Sequence, residues 1–150
     1  MVTDRLWWSQ ETPSTAASDE AGITVVDLCA GKGVFSMLLS FLLRRRPRLQ
    51  SKVARVVMIE KQVLNWHHIH ATNADMESPA TDACETVGVT IDLWDGCNIF
   101  DNDFRARLAA LPGRLAIVGI HLCRNLSPRA VGLFNSLGTE KTPFLLLAPW

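Results

Sequence analysis

Apolar and polar positions along this chain alternate between two periods. Ile23 to Val26, Val53 to Ile59, Val87 to Leu93, Leu115 to Ile120 and Phe144 to Ala148 are short runs rich in β-branched residues and leucine. Such runs mark strands buried on both faces. Between them lie stretches with helical spacing: Ser36 to Arg45, a segment near Val63 to Thr72, Phe104 to Leu111, and Pro128 to Leu137. Pro112-Gly113 ends the third of these; Ser127 as cap and Pro128 in the first turn start the fourth. Ser36 to Arg45 is apolar almost all round and is expected to be sandwiched between layers. Asn73 to Thr86 is polar, contains Pro79 and is expected to be loop with part of a helix.

Strands alternating with helices predict an α/β domain, a doubly wound, mostly parallel sheet of about five strands with helices on both faces. That domain spans residues 23–150. Residues 1–22 form a polar, irregular lead-in with Pro13, Ser14, Thr15 and Ser18. Within it Trp7-Trp8 stands out. Two adjacent indoles are costly to expose, so the segment is expected to fold back onto the domain or onto another surface.

Composition narrows the class. With 150 residues, 48% of them hydrophobic, and a formal net charge of +0, the chain is a globular domain rather than a disordered or nucleic-acid-coating one. RNA binding needs only a local basic patch. The one basic cluster is Arg44-Arg45-Arg46-Pro47-Arg48, followed by Lys52 and Arg55. It follows the first helix, so it is expected at the sheet edge away from the ligand crevice, solvated at a helix C-terminus. The longest apolar run, Val34 to Leu43, is too short to span a bilayer, and no hydrophobic signal core opens the chain. A cytoplasmic or nuclear location is therefore expected, with no membrane partner and no secretion. Cys29, Cys84, Cys97 and Cys123 lack CxxC pairing and are expected as reduced thiols. His67 and His70 lie three apart on a predicted helix, but no second ligand pair follows, so no metal is expected.

Ligands of an open parallel sheet sit beyond the carboxyl ends of its strands. There the chain places Asp27 and a glycine turn after the first strand, Glu60 after the second, Asp95-Gly96 after the third and His121-Leu122-Cys123 after the fourth. The turn Asp27-Leu28-Cys29-Ala30-Gly31-Lys32-Gly33 lacks the spacing of a P-loop. A dinucleotide turn would carry a third glycine where Ser36 stands, and Asp27 would repel a pyrophosphate. An acid in the turn suits a cofactor that is cationic and free of phosphate, such as S-adenosyl-L-methionine.

The motif resembles that of the class I, Rossmann-like S-adenosylmethionine-dependent methyltransferases. Gly31-Lys32-Gly33, an apolar pair and Ser36, combined with His121-Leu122-Cys123, is closest to a subgroup that includes tRNA ribose 2′-O-methyltransferases. The resemblance covers Ile23 to Ala148. It implies that Asp27, Cys29, Ala30, Gly31 and Gly33 line the methionine end of the cofactor. It further implies that Glu60, with Lys61 beside it, accepts both ribose hydroxyls, and that Asp95, Gly96 and Cys97 surround the adenine. His121 lies at the cofactor and is either a general base for a hydroxyl acceptor or a residue that orients its loop. Trp66, Trp94 and Trp150 are expected in the core or in the cofactor wall.

Two positions depart from the pattern: Cys29 stands where the family has its first glycine, and Arg124 where the subgroup has a glycine after His-Leu-Cys. The family's sheet also closes with two further strands that are not expected here, so a partner or a downstream segment is expected to cover the sheet edge. The implied function is methyl transfer to an acceptor, RNA favoured over protein or a small molecule. The alternative is a non-catalytic cofactor-binding or partner-regulating module.

Overall fold

The structure, a computed structural model, describes residues 22–79 and 85–148. The expectations for the lead-in with Trp7-Trp8, for Cys84 and for Trp150 lie outside the described residues. The elements are β1 (Ile23–Leu28), α1 (Val34–Arg44), α2 (Pro47–Gln50), β2 (Val53–Ile59), α3 (His67–Glu77), β3 (Ile91–Trp94), α4 (Phe104–Ala110), β4 (Arg114–Ile120), α5 (Leu126–Leu137) and β5 (Phe144–Ala148).

The five strands form one sheet in the order β3-β2-β1-β4-β5, and every pairing is parallel. The α/β, doubly wound fold expected from the alternation is what the structure contains. Strand order reverses between β1 and β4, which opens a crevice at their carboxyl ends. Alternate residues of each strand feed two cores. Val26, Leu28, Val57, Ile59, Leu115 and Ile117 pack with Phe104 and Leu108 of α4 and Ala130 and Leu133 of α5. Val25, Val56, Met58, Ile91 and Val118 pack with Leu43 of α1 and Ile69 of α3 on the other face. Asp27 lies level with Met58 on β2 and Val118 on β4. β5 pairs with β4 alone among the described strands, and its Phe144 and Leu146 are exposed.

Several elements differ from their sequence-based bounds, each for a local reason. β3 starts at Ile91 rather than Val87 because the preceding backbone bonds to helices: Thr86 N–H donates to Arg44 O at 3.1 Å and Gly88 N–H to Met76 O at 2.9 Å. Helix α3 runs later than the expected Val63–Thr72. Asn65 Oδ1 receives the His67 N–H at 3.0 Å at its start, and the buried stripe Ile69, Thr72, Met76 continues it to Glu77, just before Ser78-Pro79. Helix α5 begins at Leu126, with Asn125 at the cap position, so Ser127 is not its cap; the Ser127 hydroxyl donates instead to Leu122 O at 3.0 Å. The short α2 had no periodicity long enough to announce it.

The largest correction concerns α1. It is not sandwiched between layers. Ser36, Ser40, Leu43 and Arg44 face inward, while Val34, Leu38, Phe41 and Leu42 are 42–65% exposed. Two of the inward polar residues, Ser36 and Arg44, have buried partners, the Asp27 carboxylate for the first and the end of α3 for the second. Arg44, expected as a solvated cation, is buried: it donates to the carbonyls of Asp75 and Pro79 at the end of α3 and pairs with Glu85 at 3.3 Å. This guanidinium ties α1 to the C-terminal end of α3, where a cation is favoured. Arg44→Ala should lower the unfolding free energy by about 3 kcal/mol, since it leaves Glu85 and two carbonyls without their donor. Urea denaturation of both proteins measures this; a loss within error of zero would contradict the tie.

Candidate functional site at the carboxyl edge

The β1–α1 turn is built by steric necessity. Gly33 sits at φ 73°, and a Cβ there would lie 2.3 Å from Met58 Sδ and 2.9 Å from Ile69 Cδ1, so only glycine fits. Gly31 also has a positive φ, of 58°, yet a Cβ on it would meet nothing within 4 Å. One glycine is packed against the core and the other borders open space. Ala30 N–H donates to Ile59 O at 3.0 Å and Gly33 N–H to Ala30 O at 2.9 Å, which seats the turn on the end of β2.

Glu60 locks this arrangement. Its Oε2 accepts the Gly31 N–H at 2.9 Å and its Oε1 accepts the Gln62 N–H at 2.9 Å. Its own backbone bridges to β3: Glu60 N–H donates to Trp94 O at 3.1 Å, and Cys97 N–H donates to Glu60 O at 3.0 Å. The structure thus brings together the glycine turn, Glu60 and the Asp95-Gly96-Cys97 loop, three groups separated in sequence. Lys61 and Asp95 are exposed beside them, and Cys97 is buried. Arg107 of α4 lies 4.5 Å from the Trp94 ring centroid and donates to Cys97 Sγ at 3.3 Å, bracing the third loop from below.

Asp27 is buried behind the turn, 1% exposed, and its Oδ2 accepts the Ser36 hydroxyl at 2.7 Å. Burial pushes its carboxyl up from 3.8 to about 6, with Glu60 adding to the rise and Ser36 opposing it. Burial, reinforced by the Glu60 and Asp27 carboxylates, raises the Cys29 thiol to about 11, so it stays protonated at neutral pH. Cys97 is raised as well, by burial, against the lowering influence of Arg107.

His121 follows directly on the last residue of β4. It is exposed, has φ 59°, and its N–H donates to Ala148 O of β5 at 2.9 Å. Arg124, three residues on, has φ 51°, and Cys29 has φ 56°. Cys29 and Arg124 therefore both hold the left-handed conformation that favours glycine. A cavity of about 490 Å³ flanks the turn, lined by Lys32, Leu64, Asn65, His67 and His68, with His68 Nε2 2.9 Å from Lys32 O. Among the described residues no three of His, Cys, Asp and Glu converge as metal ligands, and no helix is long and apolar enough to cross a membrane.

In the sequence Ser36 stands out only as the last letter of the glycine motif. Its role as the Asp27 donor was signalled by a serine placed three residues after Gly33, in the first turn of a helix. Arg107 gave no signal, because nothing local ties an α4 cation to the end of β3. Comparison with protein-family models, curated proteins and solved structures gives no match.

Two measurements test this geometry. Arg124→Gly should raise the unfolding free energy by about 1 kcal/mol, as relief of a left-handed side chain outweighs the added freedom of the unfolded chain. Cys29→Gly should gain less, because the thiol also packs against the core. A drop in the urea midpoint for Arg124→Gly would contradict the strain. For Asp27 the folded pKa is raised, so the folded state binds the proton more tightly and stability falls as pH rises from about 4 through about 6. Asp27→Asn should remove this dependence, and wild type should lose on the order of 3 kcal/mol relative to the variant across that window. Parallel pH profiles of the two proteins would refute it.

Proposed function

We propose that the carboxyl edge of this sheet binds S-adenosyl-L-methionine and that the domain is a methyltransferase, with RNA favoured as the methyl acceptor over protein or a small molecule. One observation carries the reading: the Gly31 N–H is already held by the Glu60 carboxylate at 2.9 Å. In a phosphate-binding turn such an N–H would point at the anion. Here a phosphate would compete with a carboxylate for the same donor and be repelled by it. With Asp27 buried close behind, the turn suits a ligand that is cationic and lacks phosphate.

The residues present fit the cofactor. The open side of Gly31 admits a ligand against bare backbone. Each Glu60 oxygen accepts one backbone N–H, which leaves lone pairs for two ribose hydroxyls. Asp95, Gly96 and Cys97 stand next along the edge for the adenine. When bound, the cofactor supplies a methyl group on a sulfonium, already activated for displacement. The chain's task is then positioning: Glu60 and the turn fix one reactant, and His121, across the strand reversal, either takes a proton from a hydroxyl acceptor or orients its loop.

A second reading is a module that binds the cofactor without transferring its methyl group. It is favoured by Arg124, which keeps a left-handed backbone with a bulky side chain in the loop next to His121.

Thermal-shift titration should show stabilisation by S-adenosyl-L-methionine and none by NAD(P). Glu60→Gln should weaken binding roughly 10- to 100-fold, the value of hydrogen bonds to a charged acceptor. Stabilisation by NAD(P) alone would overturn the cofactor assignment. Transfer of label from methyl-labelled cofactor into total RNA supports the enzyme; binding without label in RNA or protein selects the module.

A further inference from the structure

At the amino edge of the sheet, α1 and α2 enclose a groove of about 730 Å³ lined by Leu42, Arg45, Arg46, Pro47, Arg48 and Leu49. Its apolar part is open to solvent, with Leu42 48% and Leu49 43% exposed. Its rim holds three guanidinium groups. Arg45 reaches Glu85 at 3.7 Å, while none of the ion pairs among the described residues involves Arg46 or Arg48. A groove of this kind suits a ligand that is aromatic and acidic at once, with flat rings for leucine and guanidinium to pack on and carboxylates to match the charge.

The chain carries such a ligand, tethered beside the groove. Residues 1–21 contain Trp7-Trp8 and four acids, Asp4, Glu11, Asp19 and Glu20, against a single base, Arg5. They join the sheet at Gly22-Ile23, where the Ile23 N–H donates to Lys52 O at 2.8 Å and the Lys52 N–H donates to Leu49 O at 3.0 Å. The attachment point is thus two hydrogen bonds from the groove wall. The 13 residues between Trp8 and Gly22 span up to about 45 Å when extended, so reach is ample. A short tether also holds the indoles at an effective concentration of about millimolar.

We propose that this groove is the docking site of the chain's own N-terminal segment, with Trp7-Trp8 packed on Leu42 and Leu49 among Arg45, Arg46 and Arg48. The zero net charge of the whole chain then conceals a division into an acidic arm and a basic receptor. The inference is independent of the cofactor reading, since the groove lies at the opposite edge of the sheet.

Hydrogen exchange on the 150-residue chain tests it. In Trp7→Ala/Trp8→Ala, amides of Leu42 to Leu49 should exchange about tenfold faster than in wild type, while those of β1 and β4 stay unchanged. Trp7→Phe/Trp8→Phe should restore most of the protection. Arg46→Glu/Arg48→Glu should produce the same local loss from the other side of the contact. Unchanged exchange at Leu42 to Leu49 in the alanine variant would overturn the proposal. So would protection that disappears on dilution, which would assign the groove to a second copy of the chain.

Discussion

The carboxylate of Glu60 is the joint on which the candidate site depends. Its two oxygens take backbone N–H groups from the glycine turn and from its own loop, and its peptide group bridges to Trp94 and Cys97. Three loops from three parallel strands are thereby fastened to one residue. A hydrogen bond to a charged acceptor is stronger than a neutral one, and a partly buried acceptor strengthens it further. Without the Glu60 carboxylate the turn would keep its glycines and the Ala30 bond to Ile59, but lose the side-chain bond that fixes the Gly31 N–H.

Asp27 and Ser36 form the second layer of that architecture. The helix that follows the turn begins where Asp27 can hold its first turn, so the acid and the helix position each other. This explains why α1 faces inward with serines and an arginine. Two of them have a buried partner, a carboxylate for Ser36 and the end of α3 for Arg44. Of the apolar residues between them, Leu43 joins the core while Leu38, Phe41 and Leu42 are left on the outside.

Much of the fold was legible because strands buried on both faces are written as unbroken β-branched runs, as in Val53–Ile59 and Phe144–Ala148. The convergence of Gly31, Glu60 and Cys97 was legible too, since parallel topology brings every strand's end to one edge. What escaped was decided by distant partners. No local pattern says that Gly88 will bond to Met76 and delay β3, or that Arg44 will be buried rather than solvated. The all-round apolarity of α1 could not reveal which face turns inward, because the deciding contacts are polar. The left-handed state of Cys29 and Arg124 was likewise invisible, since neither residue type announces it.

The bond from His121 N–H to Ala148 O has a mechanical meaning. Glu60 and the glycine turn are anchored in the centre of the sheet, whereas His121 takes its place from the outermost strand. The two walls of the crevice thus belong to different parts of the sheet, one at its centre and one bonded to β5. A chain that adds itself to β5, which pairs with β4 alone among the described strands, would press on the rim of the crevice through the β5 backbone. In this fold the edge of the sheet is a lever on the site.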